Sequence, residues 1–225
     1  MSKPSLITID GPAAVGKSTL GRLLARKLGY RFIDTGSMYR SLTRLALERQ
    51  IDLADEQALT DLARRTPVEA LAIDNHGPGG AGVHGTAPSS NGLTDPSVEA
   101  AVPIVSRVPG LRLALVEKQR YLAQGGKVVM VGRDIGTIVL PQAEVKLFLM
   151  ASVAERARRR HLEMTSKGGQ VDYQKVLEDV QKRDKVDRER KDSPLTPAPG
   201  ATIINTDKMA MEKVAERVLR LIGSC

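Results

Sequence analysis

A glycine-rich segment near the start of the chain has the residue types that bind the phosphates of a nucleotide. Residues 11–19 read GPAAVGKST, which matches the pattern G-x-x-x-x-G-K-[ST], and they lie between an apolar run and a helical stretch. The glycines let the backbone approach a phosphate closely, Lys17 can reach the terminal phosphates, and the Ser18 hydroxyl can bind Mg²⁺. The predicted nucleotide-binding residues of this P-loop are Gly11, Pro12, Ala13, Ala14, Val15, Gly16, Lys17, Ser18 and Thr19.

The P-loop predicts a bound nucleoside triphosphate but does not define the reaction, because GTPases, ATPases, motors and small-molecule kinases share it. The N-K-x-D motif with which GTPases recognise guanine does not occur in the sequence. Many ATPases have an apolar strand that ends in an acidic pair, whereas here the apolar segment 127–131 leads to Arg133 and a single aspartate, Asp134. Other residues must therefore identify the group that receives a phosphate.

The segment 34–40 (DTGSMYR) places a carboxylate, a hydroxyl, a phenol and a guanidinium within seven residues. It follows an apolar run and begins a helical stretch, so it is predicted to lie at the carboxyl end of a strand, facing the crevice where the P-loop opens. The alternative, which we favour for this segment taken alone, is a capping sequence in which Asp34 or Thr35 only begins the helix, Tyr39 packs and Arg40 is solvated.

The segment 132–137 (GRDIGT) places Arg133 and Asp134 between two glycines, directly after an apolar run. The carboxyl ends of parallel strands are where open α/β sheets bind ligands, so this pair is a second candidate for the binding crevice. The alternative is a surface turn with a local ion pair. We favour the binding site because charges so close to a buried strand need partners.

A third charged segment, 183–190 (RDKVDRER), spaces Arg183, Asp187 and Arg190 at i, i+4 and i+7. On a helix these three side chains share one face. The alternative is a solvated helix in which charges at i and i+4 pair with each other, which is the usual state of a charge-rich segment.

Short apolar runs alternate with helical stretches along the chain, which is typical of an α/β fold with a parallel sheet buried on both faces. The five predicted strands are Leu6–Ile9, Arg31–Ile33, Lys127–Val131, Val145–Ala151 and Thr202–Asn205. The predicted helices include Lys17–Leu28 and Met209–Ile222, the latter with Asp207 as its N-cap and a core face of Val214, Val218, Leu221 and Ile222. Residues 75–91 predict an inserted hairpin or flexible loop, and residues 156–191 predict two helices that break at Lys167-Gly168-Gly169.

The composition narrows the class of protein. A length of 225 residues favours one core with an insertion, and a net charge of +8 with a pI near 9.7 indicates attraction to anions. Aromatic residues make up only 3% of the chain, so few side chains are present on which nucleic-acid bases could stack. The single cysteine, Cys225, allows no intrachain disulfide, and we expect a soluble cytoplasmic protein without a signal peptide. We expect no metal site at His76, His84 or His161.

Taken together, these segments resemble one known family. The resemblance rests on D-G-P-x-x-x-G-K-S-T at 10–19, D-T-G-x-x-Y-R at 34–40, G-R-D-I-G-T at 132–137, E-R-A-x-R-R at 155–160 and R-D-x-x-D-x-x-R-x-x-x-P-L-x-x-A at 183–198. Their sequence and order are similar to those of bacterial cytidylate kinases. The resemblance covers nearly the whole chain.

The resemblance implies the nucleoside-monophosphate-kinase form of the P-loop NTPase fold, with a five-stranded parallel sheet. It implies a single kinase domain, 1–225, with a core of residues 1–65, 113–155 and 192–225, a monophosphate-binding insertion at 66–112 and a short lid at 156–191. ATP would donate its γ-phosphoryl to CMP or dCMP in the presence of Mg²⁺. A monomer with no nucleic-acid or membrane partner is implied as well.

The resemblance also implies residue roles. Lys17, Arg133 and Arg183 would be catalytic, Ser18 would bind the metal ion, and Arg159 would join the P-loop in binding ATP. Thr35 and Asp134 would face the cytosine. Arg183 and Asp187 would lie near the sugar. The acceptor phosphate would be bound by Arg40, Arg112, Arg133 and Arg190. The implied acceptor-binding residues are Thr35, Tyr39, Arg40, Arg112, Arg133, Asp134, Arg183, Asp187 and Arg190.

The sequence departs from the family pattern at a few positions. Ala13-Ala14 stands where Ser or Gly is common, and Val131 stands where an acidic residue is common. A serine expected in the monophosphate site falls at Pro103, so Ser106 is the nearest hydroxyl, and the glycine-rich stretch around 77–85 is atypical. The alternatives are another small P-loop kinase, of the adenylate or shikimate type, or a basic nucleic-acid-binding ATPase.

Overall fold

Five short apolar segments form one parallel sheet in a computed structural model, which describes residues 4–71, 92–93, 95–166, 168–190 and 193–223. The strand order is β2-β3-β1-β4-β5, and all neighbouring strands are parallel. The predicted α/β class, the five strands and their positions are confirmed. The strands are β1 (Leu6–Asp10), β2 (Arg31–Asp34), β3 (Val128–Gly132), β4 (Val145–Met150) and β5 (Thr202–Asn205).

Strand β1 lies at the centre of the sheet, where its backbone pairs with β3 on one side and β4 on the other. Every residue of β3 is buried, as are Ile7 and Ile9 of β1, because helices cover both faces of the sheet. Asp10 and Gly132 are register partners at the carboxyl ends of β1 and β3. The loops that follow these two strands therefore begin side by side.

Among the residues that the structure describes, eight α-helices surround the sheet, and most of the core falls into two large clusters. One cluster includes Leu42, Leu59 and Leu111, and the other includes Leu24 and Val218. The helices are α1 (Lys17–Leu28), α2 (Thr35–Glu48), α3 (Glu56–Arg65), α4 (Pro96–Val105), α5 (Pro109–Ala123), α6 (Val153–Ser166), α7 (Tyr173–Arg188) and α8 (Met211–Gly223). None of these described helices is long and apolar enough to cross a membrane.

The last helix, α8, differs from the prediction in two respects. It begins at Met211, and the Asp207 carboxylate accepts hydrogen bonds from the backbone N–H and the hydroxyl of Ser152 instead of capping the helix. Leu221 is 41% exposed, whereas Val218 is buried. The predicted core face was therefore wrong at Leu221. The predicted N-cap was also wrong, because the Asp207 carboxylate, which follows β5, binds Ser152, which follows β4.

The segment between β4 and β5 forms two helices, α6 and α7, as predicted. Helix α6 ends at Ser166 and α7 begins at Tyr173, so the break falls at the predicted glycines. Asp172 caps α7 by accepting a hydrogen bond from the Lys175 N–H. The two helices share a small apolar core of Ala157, Val176 and Val180.

The predicted insertion contains a short 3₁₀ turn at Val68–Ala70, helix α4 and the start of α5. Because α5 runs continuously from Pro109 to Ala123, the predicted boundary at residue 112 falls within this helix. The predicted hairpin or loop at 75–91 lies outside the described residues, as do His76 and His84. The third histidine, His161, contacts the Val171 carbonyl through Nε2 at 2.9 Å, and no metal-binding cluster occurs among the described residues.

Candidate active site

The P-loop connects the carboxyl end of β1 to the first turn of α1 and has little space beside its glycines. A Cβ atom on Gly11 would lie 2.5 Å from the Leu149 carbonyl oxygen, and one on Gly16 would lie 2.8 Å from the Met211 sulfur. Gly16 also has φ of +99°, which is strained for residues with side chains. Both glycines of the motif are therefore required by the shape of the loop.

The Lys17 ammonium lies across this loop. Its Nζ donates hydrogen bonds to the carbonyl oxygens of Gly11 at 2.8 Å and Pro12 at 2.6 Å, and the residue is only 8% exposed. Burial, followed by the positive charge of Arg133, lowers the pKa of Lys17 well below its ordinary value. A phosphate anion at the loop would oppose both effects, so this lysine favours an anionic ligand.

The Ser18 hydroxyl donates a hydrogen bond to Oδ2 of Asp34 at 2.7 Å. The other oxygen of Asp34 accepts from the Gly36 N–H at 2.9 Å, so the same carboxylate is the N-cap of α2. The capping interpretation of Asp34 is confirmed, but it is incomplete because the carboxylate also contacts the P-loop. A hydroxyl and a carboxylate in contact are oxygen ligands of the kind that Mg²⁺ prefers.

Two ion pairs follow from the Arg133–Asp134 segment, one buried and one partly buried, and neither is local. Asp134 pairs with Arg112 of α5, whose guanidinium carbon also lies 5.9 Å from the centre of the Tyr39 ring. Arg133 turns the other way and donates from Nε to Oδ2 of Asp187 at 2.7 Å. The surface-turn interpretation was wrong, since both Arg112 and Asp134 are buried.

Asp187 is the centre of a cluster of three arginines. Arg133 Nε and Arg190 Nη2 each lie 2.7 Å from a carboxylate oxygen, and Arg183 Nε lies 3.5 Å away. Burial alone would raise the pKa of Asp187, but the three positive charges outweigh burial and lower it to about 2. The shared face predicted for Arg183 and Asp187 is confirmed, and the solvated-helix interpretation was wrong for this face because the Asp187 side chain is 0% exposed. Arg190 was predicted on the same helix face but lies two residues beyond the end of α7, from where it reaches Asp187.

The cluster contains more positive charge than it neutralises internally. Burial lowers the pKa of Arg183 to about 10 and also lowers the pKa of Arg190, because removal from water disfavours the charged form of each guanidinium. The buried Nε atoms of Arg40, Arg183 and Arg190 have no hydrogen-bond acceptor among the residues that the structure describes. Three arginines around one carboxylate, with Nε donors that have no acceptor among the described residues, could bind an anion.

Ser106 joins this cluster from the end of α4. Its hydroxyl accepts from Arg190 Nη2 at 3.2 Å, and its carbonyl accepts from Arg112 Nη1 at 3.3 Å. Pro103 lies inside α4, one turn earlier. The Thr35 hydroxyl donates to the Val131 carbonyl at 2.9 Å, so it lies between β2 and β3 at the base of the same crevice.

Comparison with known proteins agrees with this geometry. A family model described as cytidylate kinase matches residues 7–224. The chain belongs to the cytidylate kinase family. The cytidylate kinase of Bacillus licheniformis is 46% identical over 222 residues, which cover 99% of this chain and 97% of that protein. The cytidylate kinase of Caldanaerobacter subterraneus subsp. tengcongensis is 45% identical over 220 residues, which cover 96% of this chain and 93% of that protein.

One solved structure has a similar fold at low sequence identity. An uncharacterized protein from Eubacterium ventriosum superposes with a TM-score of 0.52 and 14% identity, covering 99% of this chain and 100% of that one. This likeness concerns the fold alone. Membership in the cytidylate kinase family rests on the sequence matches, which confirm the resemblance drawn from the five motifs.

Two arginines of the family motif E-R-A-x-R-R lie behind the P-loop. Arg159, predicted to bind ATP, donates to the Val15 carbonyl at 3.2 Å and to both oxygens of Thr206. Arg156 pairs with Asp184 of α7 through two hydrogen bonds and reaches the Ala13 carbonyl at 3.3 Å. Sequence reasoning named neither Arg156 nor Asp184 as a site residue, although both lie in motifs that it used.

Proposed function

We propose that this protein transfers the γ-phosphoryl group of ATP to CMP or dCMP, giving ADP and CDP or dCDP. The observation that carries the proposal is the cluster of three arginines around the buried Asp187 carboxylate, which lies next to the P-loop. Arg133 directly follows Gly132, the register partner of Asp10, so the segment that carries Arg133 begins beside the P-loop. The charges of Arg133 and Asp187 also affect the pKa of Lys17, in agreement with this placement. A P-loop beside a second anion site suits an enzyme that joins two phosphate-bearing substrates.

We infer that the acceptor phosphate binds to Arg40, Arg112, Arg133 and Arg190. The free Nε donors of Arg40 and Arg190 and the excess positive charge support this assignment. A monophosphate would supply the anion that the cluster lacks, and guanidinium groups bind phosphate oxygens in pairs. Arg183 and Asp187 would lie near the sugar as well as bracing the cluster.

The base would lie against Asp134 and Thr35. An ionised carboxylate accepts hydrogen bonds and cannot donate them, so Asp134 favours an exocyclic amine such as that of cytosine over the carbonyl of uracil. Tyr39 lies beside it, and burial raises the pKa of its phenol to about 12, so the ring stays neutral. These contacts would select the acceptor by its amine.

The residues beside the P-loop fit a magnesium ion. Ser18 and Asp34 supply a hydroxyl and a carboxylate 2.7 Å apart, which suits a cation that keeps several waters and binds the phosphates of its substrate. Ser18 would be the direct ligand and Asp34 would orient it. When bound, Mg²⁺ would supply positive charge at the β- and γ-phosphates.

The arginines and Lys17 would do most of the catalytic work by position and charge. The attacking oxygen of a monophosphate is already anionic, so no general base is needed. Lys17, Arg133 and Arg183 would stabilise the charge spread over the transferred phosphoryl group. Helices α6 and α7, which carry Arg159 and Arg183, would exclude water from the site as a lid.

A panel of phosphate acceptors tests this function. Purified protein with ATP and Mg²⁺ is assayed for ADP formation with CMP, dCMP, UMP, AMP and shikimate, together with a reaction lacking any acceptor. CMP or dCMP should give the highest kcat/KM. Preference for AMP or shikimate, or ADP formation independent of the acceptor, would contradict the proposal.

Two substitutions of arginines in and at the end of α2 test whether Arg40 binds the acceptor. Arg40→Met should raise KM for CMP by about tenfold or more, because a charged hydrogen bond to phosphate contributes roughly 1.5–3 kcal/mol. Arg49→Met is the matched control, since Arg49 is exposed at the end of α2 and should leave KM unchanged. Equal effects of the two substitutions would remove Arg40 from the acceptor site. The expectations of a monomeric, cytoplasmic enzyme with no nucleic-acid or membrane partner stay predictions.

A further inference from the structure

Asp10, the last residue of β1, is a buried carboxylate for which the reaction described above has no use. It is 3% exposed and stands directly before the P-loop. Its Oδ1 accepts from the Ile135 N–H at 2.9 Å, and its Oδ2 accepts from the Gly136 N–H at 2.7 Å. Both oxygens are therefore bound to the backbone of a different loop.

The backbone that Asp10 binds begins one residue after the Arg133–Asp134 pair. Residues Ile135–Val139 form a single wide helical turn, in which the Ile138 N–H donates to the Asp134 carbonyl at 2.9 Å. The hydrogen bonds from the Ile135 and Gly136 N–H groups to Asp10 hold this turn in place. Because the turn is also bonded to the Asp134 carbonyl, they hold the backbone of Asp134 in place as well.

Gly136 brings this turn into direct contact with β1. A Cβ atom at Gly136 would lie 3.0 Å from the Thr8 hydroxyl oxygen, 3.1 Å from Ala198 Cβ and 3.3 Å from Asp10 Oδ2. No side chain fits there without moving a neighbour. The contact between β1 and the turn is thus made by the Asp10 carboxylate and by the backbone of Ile135 and Gly136.

The chemistry of Asp10 requires an ionised carboxylate. Two N–H groups need two acceptors, and an ionised carboxylate offers one on each oxygen, whereas an amide would turn an NH₂ group toward one of them. Burial raises the pKa of Asp10 to about 6 although both N–H groups oppose the shift. The charged groups that act on Asp10 are Asp134, which raises its pKa further, and Lys17, which lowers it.

We propose that Asp10 is a positioning residue that fixes the turn after Arg133 and Asp134, and with it the acceptor nucleotide, relative to the P-loop strand. Asp10 touches neither substrate in this assignment; it acts through the backbone of Ile135 and Gly136. The inference rests on the proposed phosphoryl transfer to CMP.

The test is the substitution Asp10→Asn, with Asp55→Asn as the matched control at an exposed helix cap. Binding of CMP and of ATP is measured separately by titration calorimetry, alongside kcat and each KM. Asp10→Asn should weaken CMP binding by about tenfold, as expected for one buried N–H left without an acceptor. ATP binding should change by less than about threefold, and Asp55→Asn should change neither.

A pH series separates positioning from a structural role. Below pH 6, wild-type Asp10 becomes protonated and, like asparagine, accepts from only one N–H. The ratio of CMP affinity between wild type and Asp10→Asn should therefore be about ten at pH 8 and approach about one at pH 5. The phosphate of CMP titrates in the same range, but it does so equally for both proteins and cancels in the ratio.

A second variant keeps the inference testable if Asp10→Asn does not fold. Gly136→Ala disturbs the same contact from the other side and should also weaken CMP more than ATP. The proposal is overturned if either folded variant weakens both ligands equally or weakens neither, or if both variants fail to fold. These failures differ from failure of the proposed function, in which the wild-type protein itself would not phosphorylate CMP.

Discussion

The two proposed phosphate sites of this molecule are built in different ways. The donor site is one continuous segment, residues 11–19, and its shape depends on backbone geometry and two glycines without room for a side chain. The proposed acceptor site draws on four separate parts of the fold, α2, α5, the turn after β3 and the residues that end α7, and it depends on paired charges. A backbone site can be recognised from a short motif, whereas a site made of distant charges requires the fold.

The two sites also handle charge differently. In the proposed donor site the P-loop cation, Lys17, is held by carbonyl oxygens at 2.8 and 2.6 Å. In the acceptor site Asp187 is shared by three arginines. One unpaired lysine suits a ligand that arrives with its own magnesium ion, and an arginine cluster suits a smaller dianion that must be held in one orientation.

The largest expected effect separates chemistry from acceptor binding. Lys17→Met should lower kcat by roughly 10²–10³-fold, because a donor aimed at charge that develops in the transition state is lost. The Kd of CMP, measured by titration without ATP, should rise by a much smaller factor, about tenfold at most, since Lys17 donates to the carbonyls of Gly11 and Pro12 and affects the acceptor cluster only through its charge. Lys27→Met is the control on the same helix, because Lys27 is exposed. A parallel loss of CMP binding would show that the two sites are not separate.

A smaller effect concerns the stability of the acceptor cluster in acid. Because the pKa of Asp187 is lowered from 3.8 to about 2, its ionised form stabilises the fold above pH 4, and this contribution is lost as pH falls toward 2. The shift corresponds to about 2 kcal/mol.

Urea denaturation of wild type and Asp187→Asn at several pH values measures this contribution. The difference in unfolding free energy should be largest at pH 5–7 and should shrink by about 2 kcal/mol at pH 2. Asp179→Asn, an exposed position on the same helix, should show no such trend. A difference that stays constant with pH would mean that Asp187 is not held ionised by the arginines.

The sequence predicted single elements better than contacts between them. The P-loop, the five strands, the break between α6 and α7 and the shared face of Arg183 and Asp187 follow from local spacing, and all are confirmed. Arg133 pairs with Asp187, 54 positions away, and Arg112 pairs with Asp134, 22 positions away. Helix and strand periodicity relates only residues close in sequence, so it could not predict these pairs.

Other differences have physical causes of the same kind. Asp34 is both the predicted helix cap and a partner of Ser18, because the fold brings the end of β2 to the P-loop. Asp207 is a typical N-cap residue in a suitable place, but Ser152 at the end of β4 competes for its carboxylate. A side chain with two acceptors can satisfy partners that only the tertiary structure brings to it.

The proposed selection of the acceptor base rests on Asp134, so the most direct measurement compares CMP with UMP. The kcat/KM values for both nucleotides are determined for wild type, for Asp134→Asn and for the exposed control Asp55→Asn. Wild type and control should prefer CMP strongly. Asp134→Asn should reduce that preference by about tenfold or more, because an amide can donate to the uracil carbonyl. An unchanged CMP/UMP ratio in Asp134→Asn would contradict the account.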